Sequence, residues 1–131
     1  MIPSVIKKWH QIVETKNIDL LDDILADDAT MYSPVVHKTQ EGKQITKMYL
    51  SCAALVLANA HFKYTREIYN DNFAVLEFET EIDNIQINGV DLINWNDNDL
   101  ITEFKVMIRP LKAINTVHQA MGEALSNLKK V

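Results

Sequence analysis

The chain has 131 residues, 47% of them hydrophobic, with three glycines, three prolines and one cysteine. We therefore expect one globular domain spanning residues 1–131, and the composition excludes disordered, collagen-like and disulfide-stapled proteins. The formal net charge is −5, no segment approaches the roughly 18 consecutive apolar residues of a membrane span, and the N-terminus lacks a signal-peptide pattern. These features predict a cytoplasmic protein that has neither nucleic acid nor a membrane as its partner.

The first half of the chain has mainly helical periodicity. Apolar residues recur at helical spacing over 4–16, which predicts an amphipathic helix, and again over 20–25, which predicts a shorter one. A short strand is expected at 30–32, because Pro34 cannot donate a hydrogen bond to a continuing ladder. A third helix is predicted for 43–56, where apolar residues lie on adjoining faces.

The second half changes to the alternating pattern of strands. There are four alternating segments, which are 61–69, 73–82, 86–96 and 100–109. A triplet of turn-forming Asn and Asp residues lies between the first two segments, at 70–72, and another lies between the last two, at 97–99. These segments predict four antiparallel strands. After Pro110 the helical spacing returns and predicts a final helix to Leu128. Helices followed by a run of strands and a last helix indicate the α+β class.

Asp91 is the most unusual residue, because it is a lone carboxylate in an apolar strand segment. Burying an unpaired charge costs several kcal/mol, so such a residue often has a function. Two structural explanations compete with a functional one. Arg66 shares strand parity with Phe62 and Tyr64 and could form an ion pair with Asp91, or Gly89 could mark a bulge that turns Asp91 outward.

A mostly apolar pocket is expected between the helices and the concave face of the sheet. Such a pocket favours a small hydrophobic or ring-shaped ligand. Desolvation there would raise the pKa of Asp91, so that this residue could donate a hydrogen bond or transfer a proton. The expected lining residues are Trp9, Tyr49, Phe62, Phe78, Asp91, Ile93 and Ile108.

Other residues with reactive side chains give weaker signals. His37, which follows Ser33 and Pro34, could stand at the pocket mouth as an acid or a base, although loop histidines are more often solvated. The four histidines do not have metal-ligand spacing, so we expect neither a metal nor another cofactor. Cys52 is expected to be a small core residue.

The order of the elements and three short segments resemble the nuclear transport factor 2-like superfamily. The segments are ADDAT at 26–30, with Ser-Pro at 33–34, and GVD at 89–91, followed by NDNDLI at 96–101. The segment VMIRPL at 106–111 is similar to bacterial SnoaL-like proteins without an assigned reaction. The resemblance implies a cone-shaped, cystatin-like fold, in which a curved antiparallel sheet wraps around the N-terminal helices.

Ketosteroid isomerase, an enzyme of this superfamily, implies roles for three positions. Its phenolic tyrosine corresponds to Trp9, its general base to Ser33, and its protonated oxyanion-hole aspartate to Asp91. Serine needs an activating partner to act as a base, and an indole is only a donor, so this chain departs from the isomerase pattern at two of the three positions. It also departs from the Asp-Arg-Asp arrangement of limonene epoxide hydrolase, because Val106 stands at the matching position of the last strand.

Three classes of function remain open. The first is a cofactor-independent isomerase, cyclase, dehydratase or hydrolase that uses Asp91, with Ser33 and Arg66 as further residues near the ligand. The second is a noncatalytic binder of a hydrophobic metabolite, and the third is a dimeric protein-interaction module. Relatives commonly dimerise through the outer sheet face, where Lys63 and Lys105 share parity with glutamates, so we expect a homodimer.

Overall fold

The computed structural model describes residues 1–129, which form one six-stranded sheet and four α-helices. The helices are α1 (Ser4–Thr15), α2 (Leu21–Ile24), α3 (Lys43–Val56) and α4 (Leu111–Lys129), with a 3-10 turn at Ile18–Leu20 before α2. The strands are β1 (Leu25–Tyr32), β2 (Gln40–Glu41), β3 (Lys63–Tyr69), β4 (Phe73–Ile82), β5 (Ile85–Trp95) and β6 (Ile101–Arg109). Within residues 1–129, no helix is both long and apolar enough to cross a membrane.

The sheet has the strand order β2-β1-β6-β5-β4-β3. The pairing of β4 with β5 runs without interruption from Phe73 opposite Asn94 to Ile82 opposite Ile85. Asp83 and Asn84 join these strands with φ values of 51° and 65°, as the two central residues of a type I′ hairpin turn require. The α+β class is confirmed.

The first strand differs from its prediction in length and direction. β1 begins at Leu25, before the predicted range 30–32, and it runs parallel to β6, so the sheet is not antiparallel throughout. Asp27 and Asp28 are exposed and lie where the register of β1 against β6 shifts. Two adjacent aspartates are typical of a loop, so the sequence does not show that this segment belongs to a strand. The two-residue strand β2 was not predicted, because two residues are too few to show an alternating pattern.

The core joins the buried side of α1 to the inner face of the sheet. Val5, Ile6, Trp9 and Ile12 are buried, as the helical spacing predicts, and the Trp9 ring packs edge-on against Phe104 with 4.9 Å between centroids. This packing holds α1 across the concave face.

Candidate functional site

A small cavity lies between α1, α3 and the inner face of the sheet, and we call it the inner cavity. The cavity has a volume of about 30 Å³, which is large enough for a water molecule but too small for a ring-shaped ligand. Its polar side chains are those of one tryptophan, one tyrosine and one aspartate. The lining residues are Trp9, Val13, Leu50, Ala53, Ala54, Leu57, Ala58, Phe62, Tyr64, Phe78, Asp91, Phe104 and Val106.

Asp91 points into this cavity from the middle of β5. Its neighbours across the sheet are Leu76 and Val106, and only 5% of its surface is exposed. The explanation by a bulge at Gly89 is wrong, because the register of β4 and β5 is continuous through this residue. Gly89 instead leaves room for a ring, since a Cβ atom there would lie 2.4 Å from Cζ of Phe78.

Tyr64 connects Asp91 to Trp9 through two hydrogen bonds. The Tyr64 hydroxyl donates to Oδ2 of Asp91 over 2.6 Å, and Nε1 of Trp9 donates to the Tyr64 oxygen over 2.8 Å. Trp9 comes from α1, Tyr64 from β3 and Asp91 from β5. We call this arrangement the Trp9–Tyr64–Asp91 chain.

Burial raises the pKa of both Asp91 and Tyr64. Desolvation raises the pKa of Asp91 from 3.8 to about 7, although the hydrogen bond from Tyr64 opposes this shift. Desolvation and then the charge of Asp91 raise the pKa of Tyr64 well above its ordinary value. Near neutral pH Asp91 therefore populates both protonation states, while Tyr64 remains a hydrogen-bond donor. The pair can offer either a proton or an acceptor to a neighbouring oxygen atom.

The alternative explanation by an ion pair between Arg66 and Asp91 is wrong, and so is the expectation that Arg66 lies in the pocket. Tyr64 lies opposite Phe78, but Arg66 lies opposite Glu77, so Thr65 is an extra residue that reverses the alternation of β3. Arg66 is consequently exposed on the outer face, where its Nε donates to Glu77. Strand parity alone could not show this, because the extra residue in β3 has no mark in the sequence.

Tyr64 is the residue of the candidate site that sequence reasoning missed. Its inward direction followed from its parity with Phe62, but its partner lies two strands away, on β5. The signal that could have found it is Gly89. A glycine at an inward-facing position leaves space beside Asp91 for long aromatic side chains from neighbouring strands.

The remaining predicted site residues fall into separate places. Trp9, Phe62 and Phe78 line the inner cavity together with Asp91. Tyr49 is half-buried against the core, and Ile93 is fully buried within it, but neither lines this cavity.

Ser33, His37 and Ile108 line a different groove of about 440 Å³, next to the end of β1. The Ser33 hydroxyl accepts hydrogen bonds from the backbone N–H groups of Val35 and Val36, at 3.2 and 3.4 Å, and so stabilises a turn. The side chain of His37 is exposed. The structure does not bring these three residues to Asp91.

A larger groove of about 470 Å³ opens directly outside the inner cavity, and we call it the mouth groove. The two spaces share Val13, Ala58, Phe62 and Tyr64, so these side chains form the wall between them. The Phe62 ring stacks on Phe78 at 5.3 Å and meets Tyr64 edge-on at 5.0 Å. Phe62 is half-buried and faces both spaces.

Polar side chains stand on the rim of the mouth groove. Nε2 of His10 lies 2.9 Å from Oε2 of Glu67, and the hydroxyl of Tyr69 donates to the other carboxylate oxygen. Sequence reasoning did not single out this pair, because Glu67 faces inward only as a result of the extra residue in β3. Within residues 1–129, no three His, Cys, Asp or Glu side chains are arranged to hold a metal ion.

Comparisons with solved structures agree on the fold. A steroid delta-isomerase from Pseudomonas aeruginosa superposes with a TM-score of 0.91 and 26% identity, covering 98% of this chain and 93% of that one. An uncharacterised protein with a cystatin-like fold from Silicibacter pomeroyi gives 0.84 and 28%, covering 92% and 84%. A hypothetical protein with a ketosteroid isomerase-like fold from Catenulispora acidiphila, solved in complex with trimethylamine, gives 0.65 and 15%, covering 87% and 91%.

The sequence comparisons point to one family. A comparison with curated proteins gave no match. The sequence pattern of the SnoaL-like domain, by contrast, matches residues 6–104, which include most of α1, the wall residues, Asp91 and the start of β6. The chain therefore belongs to the SnoaL-like domain family, within the nuclear transport factor 2-like superfamily.

Proposed function

We propose that this protein binds a small, mostly apolar molecule whose oxygen atom hydrogen-bonds to Asp91 and Tyr64. The observation that carries the proposal is the Trp9–Tyr64–Asp91 chain at the inner end of an otherwise apolar cavity. A buried carboxyl group with a raised pKa destabilises the fold, so a binding role gives a reason for its presence. Domains of this fold typically bind or isomerise small molecules.

The ligand reaches Asp91 by displacing Phe62. The inner cavity is too small for a ring, but the mouth groove, at about 470 Å³, lies within the range of small-molecule sites. Phe62 belongs to the wall between the two spaces and is in contact with other aromatic rings rather than with a polar partner. Rotation of this side chain would join the two spaces. A ring of the ligand would then take its place beside Phe78.

Asp91 acts in this site as a hydrogen-bond donor, an acceptor or an acid. Among the described residues 1–129, it is the only one whose carboxyl group lines the inner cavity. Ser33, which stands where the isomerase resemblance implies a base, lines another groove. The similarity to the steroid delta-isomerase supports a ring-shaped ligand, whereas this distribution of groups favours binding over the isomerase reaction.

Calorimetric titration with 2-naphthol, a two-ring compound with one hydroxyl group, tests the proposal. We expect binding to the wild type and about fivefold to tenfold weaker binding to Asp91→Asn, because a charge-assisted hydrogen bond is lost. The matched control is Asp97→Asn, which changes an exposed aspartate and should leave the affinity unchanged. Absence of binding to the wild type, or equal affinity for Asp91→Asn, would contradict the proposal.

We also propose that two copies associate through the outer face of the sheet, either to support ligand binding or as a noncatalytic interaction module. Neighbouring strands place apolar side chains side by side there, with Ile68 opposite Val75 and Val90 opposite Met107. Ile68 is 72% exposed and Met107 is 50% exposed. A second copy of the same face would cover both residues, as the symmetric interfaces of homodimers do.

Charged groups border this apolar area. Lys63 lies 3.9 Å from Glu79, as its strand parity predicts. Lys105 instead places its ammonium group 4.7 Å from the centre of the Tyr32 ring, and among residues 1–129 it has no glutamate partner, contrary to the prediction. The side chain of Lys105 consequently lies over the Tyr32 ring, and its aliphatic part adds to the surface that a second copy could cover.

A further inference from the structure

The hydrogen bonds of Glu67 determine which nitrogen atom of His10 carries a proton. Oε2 of Glu67 faces Nε2 of His10 at 2.9 Å, and Oε1 accepts from the hydroxyl of Tyr69. Because both carboxylate oxygens act as acceptors, the proton of a neutral His10 ring lies on Nε2. Its Nδ1 atom is then an acceptor with a free lone pair.

Nδ1 of His10 is available to a molecule in the mouth groove. The His10 side chain lines this groove and makes no hydrogen bond within residues 1–129 except the one with Glu67. No fully buried side-chain nitrogen or oxygen atom in that part of the chain lacks a partner, so Nδ1, which has no partner, is not fully buried. The imidazole ring also stands beside the aromatic wall, with its centroid 5.7 Å from that of Tyr64.

The site therefore has two polar ends with apolar side chains between them. Asp91 and Tyr64 form the inner end, and His10 with Glu67 forms the outer end. Between the two ends, the Phe62 side chain belongs to both spaces and has no polar atoms. A ligand that displaces Phe62 and touches Asp91 has its other end in the mouth groove, where His10 lies.

We propose that His10, oriented by Glu67, binds a hydroxyl group at the outer end of the ligand, so that the site selects rigid ring-shaped molecules with an oxygen function at each end. This inference rests on the proposed function, because it requires the inner oxygen to lie at Asp91. It adds a second anchor and a length requirement. Glu67 is a positioning residue, since it touches His10 rather than the ligand.

The test compares 2-naphthol with 2,6-dihydroxynaphthalene, which carries a second hydroxyl group at the opposite end of the same rings. We expect the wild type to bind the dihydroxy compound about fivefold more tightly, the usual effect of one additional hydrogen bond. His10→Phe keeps an aromatic ring but removes both nitrogen atoms. This variant should lose the fivefold preference and keep at most the roughly twofold advantage that two equivalent hydroxyl groups give statistically.

Two further variants separate a ligand contact from a structural ion pair. His118→Phe changes an exposed histidine of α4 and should preserve the fivefold preference. Glu67→Gln should reduce the preference and also lower the fraction of His10 with the proton on Nε2, as measured from nitrogen-15 chemical shifts of the imidazole. A His10 tautomer that does not respond to Glu67→Gln would overturn the positioning role.

The outcomes also distinguish this inference from the proposed function. If 2-naphthol binds and Asp91→Asn weakens it, but the second hydroxyl group brings no gain, the inference is overturned and the proposed function stands. If the gain persists in His10→Phe, the inference is likewise overturned. If neither compound binds to the wild type, both proposals are overturned together.

Discussion

The buried environment of Asp91 determines the pKa of its carboxyl group, and this pKa affects the stability of the fold. Its hydrogen bond from Tyr64 favours the ionised form, but desolvation is the larger effect and raises its pKa to about 7. A proton is therefore available from this side chain near neutral pH. The same burial means that ionisation of Asp91 opposes folding.

The pH dependence of stability tests this description. The folded protein binds a proton at Asp91 up to about pH 7, whereas the unfolded chain releases it near the ordinary aspartate pKa of 3.8, so this residue costs stability progressively as the pH rises between these values. Asp91→Asn removes that cost. Relative to the wild type, the variant should gain about 3 to 4 kcal/mol of unfolding free energy between about pH 4 and about pH 8.

Urea denaturation of both proteins across this pH range gives the measurement. Asp97→Asn, which changes an exposed carboxylate, is the control and should show no comparable gain. A stability difference that is independent of pH would mean that the carboxyl group of Asp91 has an ordinary pKa.

Strands β3 and β5 shape the site. In each strand the arrangement of the side chains depends on one residue that does not itself line the inner cavity. In β3 the extra residue Thr65 sends Arg66 outward and Glu67 inward, which produces the polar rim of the mouth groove. In β5 Gly89 allows the Phe78 ring to lie directly against the backbone. One extra residue in β3 and one glycine in β5 thus decide which side chains face the inner cavity and the mouth groove.

Gly89→Ala is expected to destabilise the fold by about 2 to 3 kcal/mol, because an overpacked core forces side chains or backbone to move. The new Cβ atom would lie 2.4 Å from Cζ of Phe78 and 2.8 Å from the backbone oxygen of Met107. Gly122→Ala is a matched control with the opposite expected sign. It lies in α4 with no atom within 4 Å of the new Cβ, and should stabilise the protein by about 0.5 to 1 kcal/mol.

Thermal or urea unfolding of the two glycine variants measures both effects. Equal stability changes in the two variants would show that the contact between Gly89 and Phe78 is not tight. A loss of stability confined to Gly89→Ala would support the close packing of Gly89 against Phe78, whose side chain lines the inner cavity.

At the scale of the whole molecule, the proposed homodimer has the outer sheet face as its interface. Met107→Lys places a charge in the middle of the apolar area of this face, and it should convert a homodimer into a monomer with little loss of fold stability. Leu55→Lys is the control, because Leu55 is 59% exposed but lies on α3, away from the outer face. Sedimentation velocity at micromolar concentrations distinguishes one chain from two, and a wild type that stays monomeric would contradict the proposed dimer.

The sequence by itself determined the class of the fold and most of its elements. Apolar periodicity located α1, α3 and α4, and alternation with two Asn- and Asp-rich turns located β3 to β6 within a few residues. It also marked Asp91 as an exceptional residue. These inferences succeed because the burial of a helix face or strand face depends on residues that are close together in the chain.

Only the tertiary structure decided the partners of Asp91 and the division of the predicted pocket. The Trp9–Tyr64–Asp91 chain joins a helix and two non-adjacent strands, and the pairing of β1 with β6 is parallel. Ser33 and His37 lie in a groove away from Asp91, although the sequence suggested a single site. Such contacts depend on sheet curvature and on an extra residue in β3, which arise from the packing of the whole chain rather than from any local pattern of residues.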